Sequence, residues 1–265
     1  MKDESKELRD AVETGKVKIL HLHYNLMNLY GDYANPKVLE RELSGRGFEA
    51  SIDRKSVGDA IDFDAYDFIF IGSGTERSQL ASMRDLARYK DVLIARINAG
   101  VPVLATGNSH EFFGQAVTDK DGKRHEMLGL LDFETIQLNT RVTGDCVCKA
   151  SFLDDKLIGF INRAGGGQKG DIERPFFIEP GEGASYKACD EGIKYKNLLG
   201  TYLTGPVLVR NPPLLKYFAD VIREKAELGD EYVVSNGQTQ ENRPPVSDSF
   251  FEYQEKAYKT ALSKL

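Results

Sequence analysis

Three short apolar runs, each followed by a loop that contains glycine, limit the folds that this chain can adopt. They lie in the segments KVKILHLHY (16–24), FDAYDFIFIGSG (63–74) and VPVLATGN (101–108). Such short, continuous apolar runs are typical of parallel strands buried on both faces of a sheet. Segments with helical periodicity separate them, so the chain is predicted to be α/β, with an open, mostly parallel sheet flanked by helices.

The helices between these runs have recognisable boundaries. Asn35-Pro36 is predicted to provide the N-cap and first residue of a helix that ends at Gly45 to Gly47. Residues 78–98 carry apolar side chains at helical spacing and are predicted to form one amphipathic helix. After the third run, NSHEFFGQAV is predicted to open a further helix, with Asn108 or Ser109 as its cap.

The second half of the chain has a different pattern. From about residue 125 the sequence predicts strands with few helices between them, including a strand over 200–209. A helix is predicted to begin near Pro212 and Pro213. The polar stretch 229–247 is predicted to be a loop before a closing amphipathic helix, and residues 1–16 a polar leader. We expect one domain over residues 1–265.

Charge and composition exclude several classes of function. The net charge is −6, which gives no electrostatic support for binding nucleic acid. No apolar run approaches the roughly 20 residues needed to span a bilayer. The charged N-terminal stretch resembles neither a signal peptide nor a transit peptide. We therefore expect a cytoplasmic protein without a membrane span.

The cysteines and histidines do not predict a metal site or a cofactor. Cys146 and Cys148 are two residues apart on a predicted strand, so they share a face and are expected to be buried thiols. Cys189 is predicted to be a thiol in a polar loop. His21 and His23 would share a face of the first strand, and a metal there would need carboxylates supplied by the fold.

Six stretches resemble the glutamine amidotransferase subunit of lipid II isoglutaminyl synthase, a relative of the cobyric acid synthase amidotransferase domain. In order along the chain they are NLMNLYGDYANPKVLERELSGRG, GSGTERSQ, PVLATGNSHEFFG, GLLDFETIQLNTRVTGD, GFINRAGGG and GTYLTGPVLVRNP. They span roughly residues 17–215. The resemblance implies a class I glutamine amidotransferase-like fold, which is flavodoxin-like.

The resemblance fails at the two residues that carry the family's chemistry. The family's elbow reads like A-I-C-G-G-Y-Q-L-L-G, where the cysteine forms a thioester with the glutamine amide, and a histidine in G-T-Y-L-H-G-P acts as its base. Here these positions are Gly107 and Thr204. Because glycine adopts strained elbow conformations at low cost, the fold is expected to persist, and Gly107→Cys is expected to fold.

Further site residues follow from the resemblance. Gly72-Ser73-Gly74 would be the oxyanion loop, although a strand-to-helix turn needs the same glycines. Arg141 would contact the carboxylate of a glutamine, or would form a surface ion pair. Asn108 and Ser109 would line the pocket. The glycines at 165–167 predict a flexible loop, and Arg163 stands where the family has a histidine.

The resemblance predicts a catalytically inactive amidotransferase-like subunit, a pseudoenzyme of cell-wall synthesis. Its partner would be a Mur-ligase-like, ATP-dependent, amide-forming enzyme, in a heterodimer. Two alternatives remain open. One is an active amidotransferase or hydrolase with a displaced nucleophile such as Ser109, beside His110, or Cys189. The other is a stand-alone sensor that binds an amide or amino acid in the old pocket.

Overall fold

The computed structural model describes residues 15–166, 169–179, 189–228 and 249–265. The strands are β1 (Lys16–Leu22), β2 (Glu49–Lys55), β3 (Phe68–Ile71), β4 (Val103–Thr106), β5 (Ala116–Thr118), β6 (Arg124–Glu126), β7 (Phe133–Ala150), β8 (Leu157–Gly165), β9 (Lys169–Gly170), β10 (Phe176–Glu179), β11 (Cys189–Glu191), β12 (Ile193–Tyr195), β13 (Leu198–Thr201) and β14 (Leu203–Thr204). The α-helices are α1 (Ala34–Gly45), α2 (Glu76–Leu86), α3 (Lys90–Asn98), α4 (Val207–Arg210), α5 (Pro212–Leu228) and α6 (Ser249–Leu262). Short 3-10 helices cover Leu29–Gly31, Phe63–Ala65, Ala87–Tyr89 and Gly107–Phe113.

The main sheet has the strand order β12-β13-β4-β3-β1-β2. Every neighbouring pair from β2 to β13 is parallel, and only β12 at the edge is antiparallel to its neighbour. The parallel part runs 2-1-3-4 followed by β13, which is the flavodoxin-like order. The predicted α/β fold with a mostly parallel sheet is thus confirmed.

Alternation along β3 explains why its sequence is apolar throughout. Phe68 and Phe70 point into a cluster with α1 and α5, whereas Ile69 and Ile71 point into a second cluster with α2 and α3. All four side chains are fully buried. Because successive side chains in a strand alternate between faces, a strand covered by helices on both sides must be apolar at every position.

A second sheet is inserted between β4 and β13. Its long strand β7 pairs antiparallel with β8 and β10 and parallel with β5. The register of β7 against β8 shifts between Gln137 and Val142, which marks a bulge in the ladder. The predicted change to strands after residue 125 is therefore confirmed. One domain over residues 1–265 stays a prediction.

The predicted helix boundaries were wrong at two places near the amino-terminal half of the sheet. Helix α1 begins at Ala34 rather than after an Asn35 cap, because the Asn35 Oδ1 atom accepts a hydrogen bond from the backbone N–H of Leu208, 2.8 Å away. The helix predicted over 78–98 is two helices, α2 and α3, separated by the 3-10 turn Ala87–Tyr89. Helix α2 begins earlier than predicted because Thr75 Oγ1 accepts from the Ser78 N–H.

Two further segments were assigned the wrong structure. The segment after β4 forms a 3-10 helix and then strand β5, not an α-helix. It stops at Gly114, where a Cβ atom would lie 2.7 Å from the Phe133 carbonyl oxygen. The strand predicted over 200–209 ends at Thr204, because Gly205 has a φ of +76° and Pro206 caps helix α4.

Helix α5 and the closing helix α6 are confirmed as predicted. Most of the predicted leader, residues 1–14, and the loop predicted over 229–247 lie outside the described residues. None of the helices in the described part of the chain has the length and apolar character that crossing a bilayer requires.

A buried ion-pair network joins α1 to α5. The guanidinium of Arg46 lies 2.6 Å from Glu42 Oε1 and 2.7 Å from Asp220 Oδ1, and all three side chains are nearly inaccessible to solvent. Removing the cation of a buried pair is costly because the carboxylates stay behind in a medium that solvates them poorly. This network is therefore expected to matter more than the ion pairs on the surface.

Arg46→Ala is expected to lower the free energy of unfolding by about 3–5 kcal/mol, measured by urea denaturation. The control is Lys37→Ala, which breaks the solvent-exposed ion pair with Glu40 and is expected to cost less than about 1 kcal/mol. Equal effects of the two substitutions would contradict a stabilising role for the buried network.

Candidate functional site

Three loops meet at the carboxyl edge of the main sheet, where flavodoxin-like folds place their ligands. They follow β1, β3 and β4 and contain residues 23–33, 72–74 and 107–108. The Asp32 carboxylate joins them. It is fully buried, and its Oδ2 atom accepts from the Ser73 N–H at 2.5 Å and from Thr106 Oγ1 at 3.1 Å.

Burial raises the pKa of Asp32 to about 6, and the bonds from Ser73, Thr106 and Asn35 oppose that shift. The carboxylate is therefore held in place by hydrogen bonds from its uncharged neighbours. Sequence reasoning did not single out the Asp32 side chain because Gly31-Asp32 resembles an ordinary turn. The available signal was the place of this turn in the loop that follows the first strand of the sheet.

The glycines of the predicted oxyanion loop are required by close packing. A Cβ atom at Gly72 would lie 2.3 Å from the Met27 carbonyl oxygen, and one at Gly74 would lie 2.4 Å from the Met27 sulfur. The N–H groups of the loop already have partners within the chain. Ser73 donates to Asp32, and Gly74 donates to Asn108 Oδ1 at 3.0 Å.

Gly107 occupies the tight turn after β4 with a φ of +60°, a conformation that favours glycine. A Cβ atom built there would lie 2.1 Å from Ser73 Oγ and 2.7 Å from Ser73 Cβ. The hydroxymethyl group of Ser73 thus fills the space into which a nucleophile at position 107 would project. That Gly107→Cys folds stays a prediction, and the contact with Ser73 adds a cost in stability that the backbone conformation alone does not predict.

Neither Asn108 nor Ser109 caps the 3-10 helix, contrary to the prediction, because the helix begins at Gly107 and both residues lie inside it, as does His110. The Ser109 hydroxyl is buried between the carbonyl oxygens of Ile71 and Thr106, at 2.9 and 2.8 Å. The His110 Nδ1 atom donates to the Gly107 carbonyl oxygen at 2.7 Å, and burial lowers the pKa of His110 to about 3. The Ser109 hydroxyl hydrogen is shared with backbone carbonyl oxygens, which do not activate a serine for attack.

Thr204 lies where the family's histidine would be. It belongs to β14 and pairs with Phe160 of β8, and its Oγ1 atom donates to the Phe160 carbonyl oxygen at 2.9 Å. The side chain is 1% exposed. A hydroxyl in this arrangement is not a base for proton transfer near neutral pH.

A buried carboxylate, Glu111, was not predicted. Its Oε1 atom accepts from the Tyr202 hydroxyl at 2.5 Å, and its Oε2 atom accepts from Gln79 Nε2 at 2.6 Å. Burial raises its pKa to about 7. A Cβ atom at Gly165 would lie 2.3 Å from both Glu111 Oε1 and the Tyr202 hydroxyl oxygen, so close packing requires glycine there. Gly165 is the last residue of strand β8 and does not belong to the predicted flexible loop.

Arg141 makes an ion pair and two further polar contacts. Its Nη1 atom lies 2.5 Å from Glu76 Oε1, and its Nε and Nη2 atoms donate to the side chain and backbone oxygens of Asn162. Arg141 was predicted to contact a ligand carboxylate or to form a surface ion pair, and in this structure it forms the ion pair. The guanidinium that would bind a ligand carboxylate thus already has a partner.

The cavity between these groups has a volume of about 20 Å³, enough for about one water molecule. It brings together most of the predicted site, but Gly72, Ser109 and Thr204 are not among the lining residues. Those are Tyr30, Ser73, Gly74, Glu76, Gln79, Gly107, Asn108, Glu111, Gln137, Arg141, Asn162, Arg163, Ala164 and Gly165. In this conformation the cavity does not accommodate a free amino acid.

The remaining candidates lie away from this cavity. Cys146 and Cys148 are buried thiols, as predicted. Cys189 lies in strand β11 and not in a loop, paired with Ile178 of β10. His21 packs against Phe70, whereas His23, just beyond β1 with a φ of +50°, bonds to Asp85 of α2, so the two do not share a face as predicted.

His125 is half-buried in β6, and its Nε2 atom lies 2.7 Å from Asp119 Oδ2. In the described ranges, no three or more His, Cys, Asp or Glu side chains come together in a way that could hold a metal ion. The polar groups around the small cavity therefore form the candidate site.

Comparison with known proteins is consistent with this geometry. The model of the CobB/CobQ-like glutamine amidotransferase domain matches residues 18–212. A glutamine amidotransferase from Thermotoga maritima shares the fold with a TM-score of 0.51, at 13% identity, over 92% of each chain. At that identity the likeness concerns the fold alone.

Two relatives are more similar in sequence. The GatD subunit of the glutamine-hydrolyzing lipid II isoglutaminyl synthase of Staphylococcus aureus is 32% identical over 210 residues, which cover 79% of this chain and 86% of that protein. The GatD subunit from Streptococcus pneumoniae is 33% identical over 201 residues, which cover 75% and 77%.

Glu111→Gln is expected to change how stability depends on pH. Because the pKa of Glu111 is raised from 4.5 to about 7, its protonation stabilises the native state at low pH, and this stabilisation is lost as the pH rises through 7. Between pH 5 and 7 the free energy of unfolding of the wild type should fall by about 1–2 kcal/mol relative to the variant.

Urea denaturation at several pH values measures this difference. The matched control is Glu49→Gln, at an exposed position, for which the difference from wild type should change little with pH. A difference for Glu111→Gln that stays constant with pH would contradict the buried, proton-binding carboxylate.

Proposed function

Because the chain belongs to the CobB/CobQ-like glutamine amidotransferase family, we propose that it is a catalytically inactive subunit of an amide-forming enzyme of cell-wall synthesis. Its partner would be a Mur-ligase-like, ATP-dependent enzyme, bound as a heterodimer in the cytoplasm. The relatives' names describe a subunit of a glutamine-hydrolyzing synthase. On this proposal the chain keeps the role of a subunit and has lost the hydrolysis of glutamine.

The observation that carries the proposal is the pairing of Gly107 with Ser73. Gly107 has no side chain that could attack an amide, and the Ser73 side chain takes the space that a nucleophile would need. A family enzyme requires a thiol there to form its thioester. The proposed loss of glutamine hydrolysis is therefore supported by the packing around the turn as well as by the absence of a side chain at Gly107.

The surroundings of the turn support the same proposal. Oxyanion stabilisation depends on backbone N–H groups aimed at a developing negative charge. Here the Gly74 N–H donates to Asn108, and the Ser73 N–H donates to Asp32. The base position holds Thr204, whose hydroxyl donates to a backbone carbonyl. The absence of a thiol and of a histidine at these two positions, together with the engaged N–H groups of Ser73 and Gly74, therefore supports the proposed loss of hydrolysis.

The pocket is also occupied by the chain's own groups. The Arg141 guanidinium pairs with the Glu76 carboxylate, and the Gln79 carboxamide bonds to Glu111 and to the Asn108 carbonyl oxygen. Gln79 and Glu76 thus supply an amide and a carboxylate, the same groups as a free glutamine. Three roles remain for such a subunit: stabilising the ligase, gating its active site, or guiding ammonia that arises elsewhere.

The packing predicts how a thiol could be restored. Gly107→Cys alone is expected to cost about 2–4 kcal/mol in unfolding free energy, from the positive φ and the collision with Ser73. The double variant Ser73→Gly/Gly107→Cys is expected to recover at least half of this cost. Urea denaturation of the wild type, both single variants and the double variant measures the coupling.

Glutamate release from glutamine is measured on the same proteins. The wild type is expected to release no glutamate above background. In the denaturation experiment, additive effects of Ser73→Gly and Gly107→Cys on the free energy of unfolding would contradict the packing argument. Glutamine hydrolysis by the wild type that is lost in Ser109→Ala or Cys189→Ala would instead establish an enzyme with a displaced nucleophile.

A tagged pull-down from the native host, followed by quantitative mass spectrometry, tests the role as a subunit. A Mur-ligase-like protein is expected to copurify at near-equal molar amount, and it should be absent when the same tag is carried by an unrelated protein of the same host. A chain that emerges alone at physiological salt would contradict the proposal.

A further inference from the structure

A second, larger cleft lies beside the closed cavity. Its volume is about 540 Å³, within the range typical of small-molecule sites. Helix α2 forms one side, and the turn between β5 and β6 contributes the other. The lining residues are Glu76, Arg77, Leu80, Ala81, Arg84, Asp119, Lys120, Asp121 and Gln137.

Helix α2 has two distinct faces. One face is buried in the core and includes Met83 and Leu86. The other face lines the cleft with Arg77, Leu80, Ala81 and Arg84, which follow the i, i+3, i+4, i+7 spacing of a single helical stripe. Leu80 and Ala81 are half-buried. The two arginines are two helical turns apart, about 10 Å along the axis, with the apolar pair between them.

The cleft is lined by three cationic side chains and three carboxylates, which differ in whether they already have a partner. Arg77, Arg84 and Lys120 are exposed, and among the described residues none of them has an ion pair or hydrogen bond through its side chain. Glu76 is paired with Arg141. Asp119 bonds to His125 and to the backbone N–H groups of Asp121 and Lys123.

That leaves three cationic groups and one carboxylate, that of Asp121, available to a ligand. Guanidinium groups bind carboxylate and phosphate oxygens in pairs of parallel hydrogen bonds. These cationic groups therefore favour an anionic ligand in the cleft, although the net charge of the whole chain is −6.

We propose that this cleft binds a small molecule that carries an oxyanion, a carboxylate or a phosphate, and rests an apolar part on Leu80 and Ala81. Arg84 and Lys120 approach the ligand from the helix and from the hairpin turn. Glu76 and Gln137 line both this cleft and the closed cavity. The site is independent of the proposed loss of catalysis, because none of its cationic residues belongs to the family's reaction.

Isothermal titration calorimetry on the full chain tests the site, with pyrophosphate and L-glutamate as separate probes at low, constant ionic strength. The variant is Arg84→Gln/Lys120→Gln. The matched control is Arg54→Gln/Lys123→Gln, which removes the same two positive charges from exposed positions outside the cleft. Thermal melting with and without each probe checks that all three proteins are folded.

At least one probe is expected to bind the wild type. Its Kd should rise tenfold or more in the cleft variant, since one lost charge-assisted bond is worth about that factor, and less than about threefold in the control. Pyrophosphate binding alone would assign a phosphate ligand, and L-glutamate binding alone a carboxylate ligand. No binding of either probe, or an equal loss in both double variants, would overturn the proposal.

Discussion

The buried carboxylate of Asp32 is the interaction on which the architecture of the site depends. It accepts hydrogen bonds from the loop after β3, from the last residue of β4 and from the start of α1, and it is shielded from solvent. A carboxylate that gathers donors in a dry environment fixes their relative positions, because any separation would leave a buried polar group unsatisfied. The loops that would form a catalytic centre are therefore held in place although no catalysis is expected from them.

Around that carboxylate, several polar groups of the site bond to one another. Glu111 receives donors from Tyr202 and Gln79, and the guanidinium of Arg163 stacks over the Tyr202 ring at 4.8 Å. Ser73 Oγ, Gln79 Oε1 and Arg163 Nε are buried and have no hydrogen-bond partner among the residues that the structure describes. An enzyme pocket leaves donors and charges available for its substrate and accepts the cost in stability. The bonds that Glu111 makes within the chain support the proposed loss of reactivity, whereas these three atoms are polar groups that the chain leaves unused.

The sequence predicted the central strands β3 and β4 well because each is short, buried at every position and followed directly by glycine. It predicted the segment after β4 poorly. The close approach of strand β7 requires glycine at position 114, and this contact joins residues that are distant in the chain. Glu111 was missed for the same reason: its partners Gln79 and Tyr202 come from α2 and from the residue after β13. The resemblance revealed the substitutions at Gly107 and Thr204. That the Ser73 side chain fills the space beside Gly107 could be learned only from the three-dimensional structure.

The contact between Ser73 and the space beside Gly107 has a consequence for the history of this chain. Once a side chain fills the place of the nucleophile, a mutation that brings cysteine back meets a collision before it gains any activity. The return path then crosses a less stable intermediate, and proteins near their stability threshold seldom survive such a step. On the proposed loss of hydrolysis, this packing would make a return to activity harder than the loss of one thiol alone would.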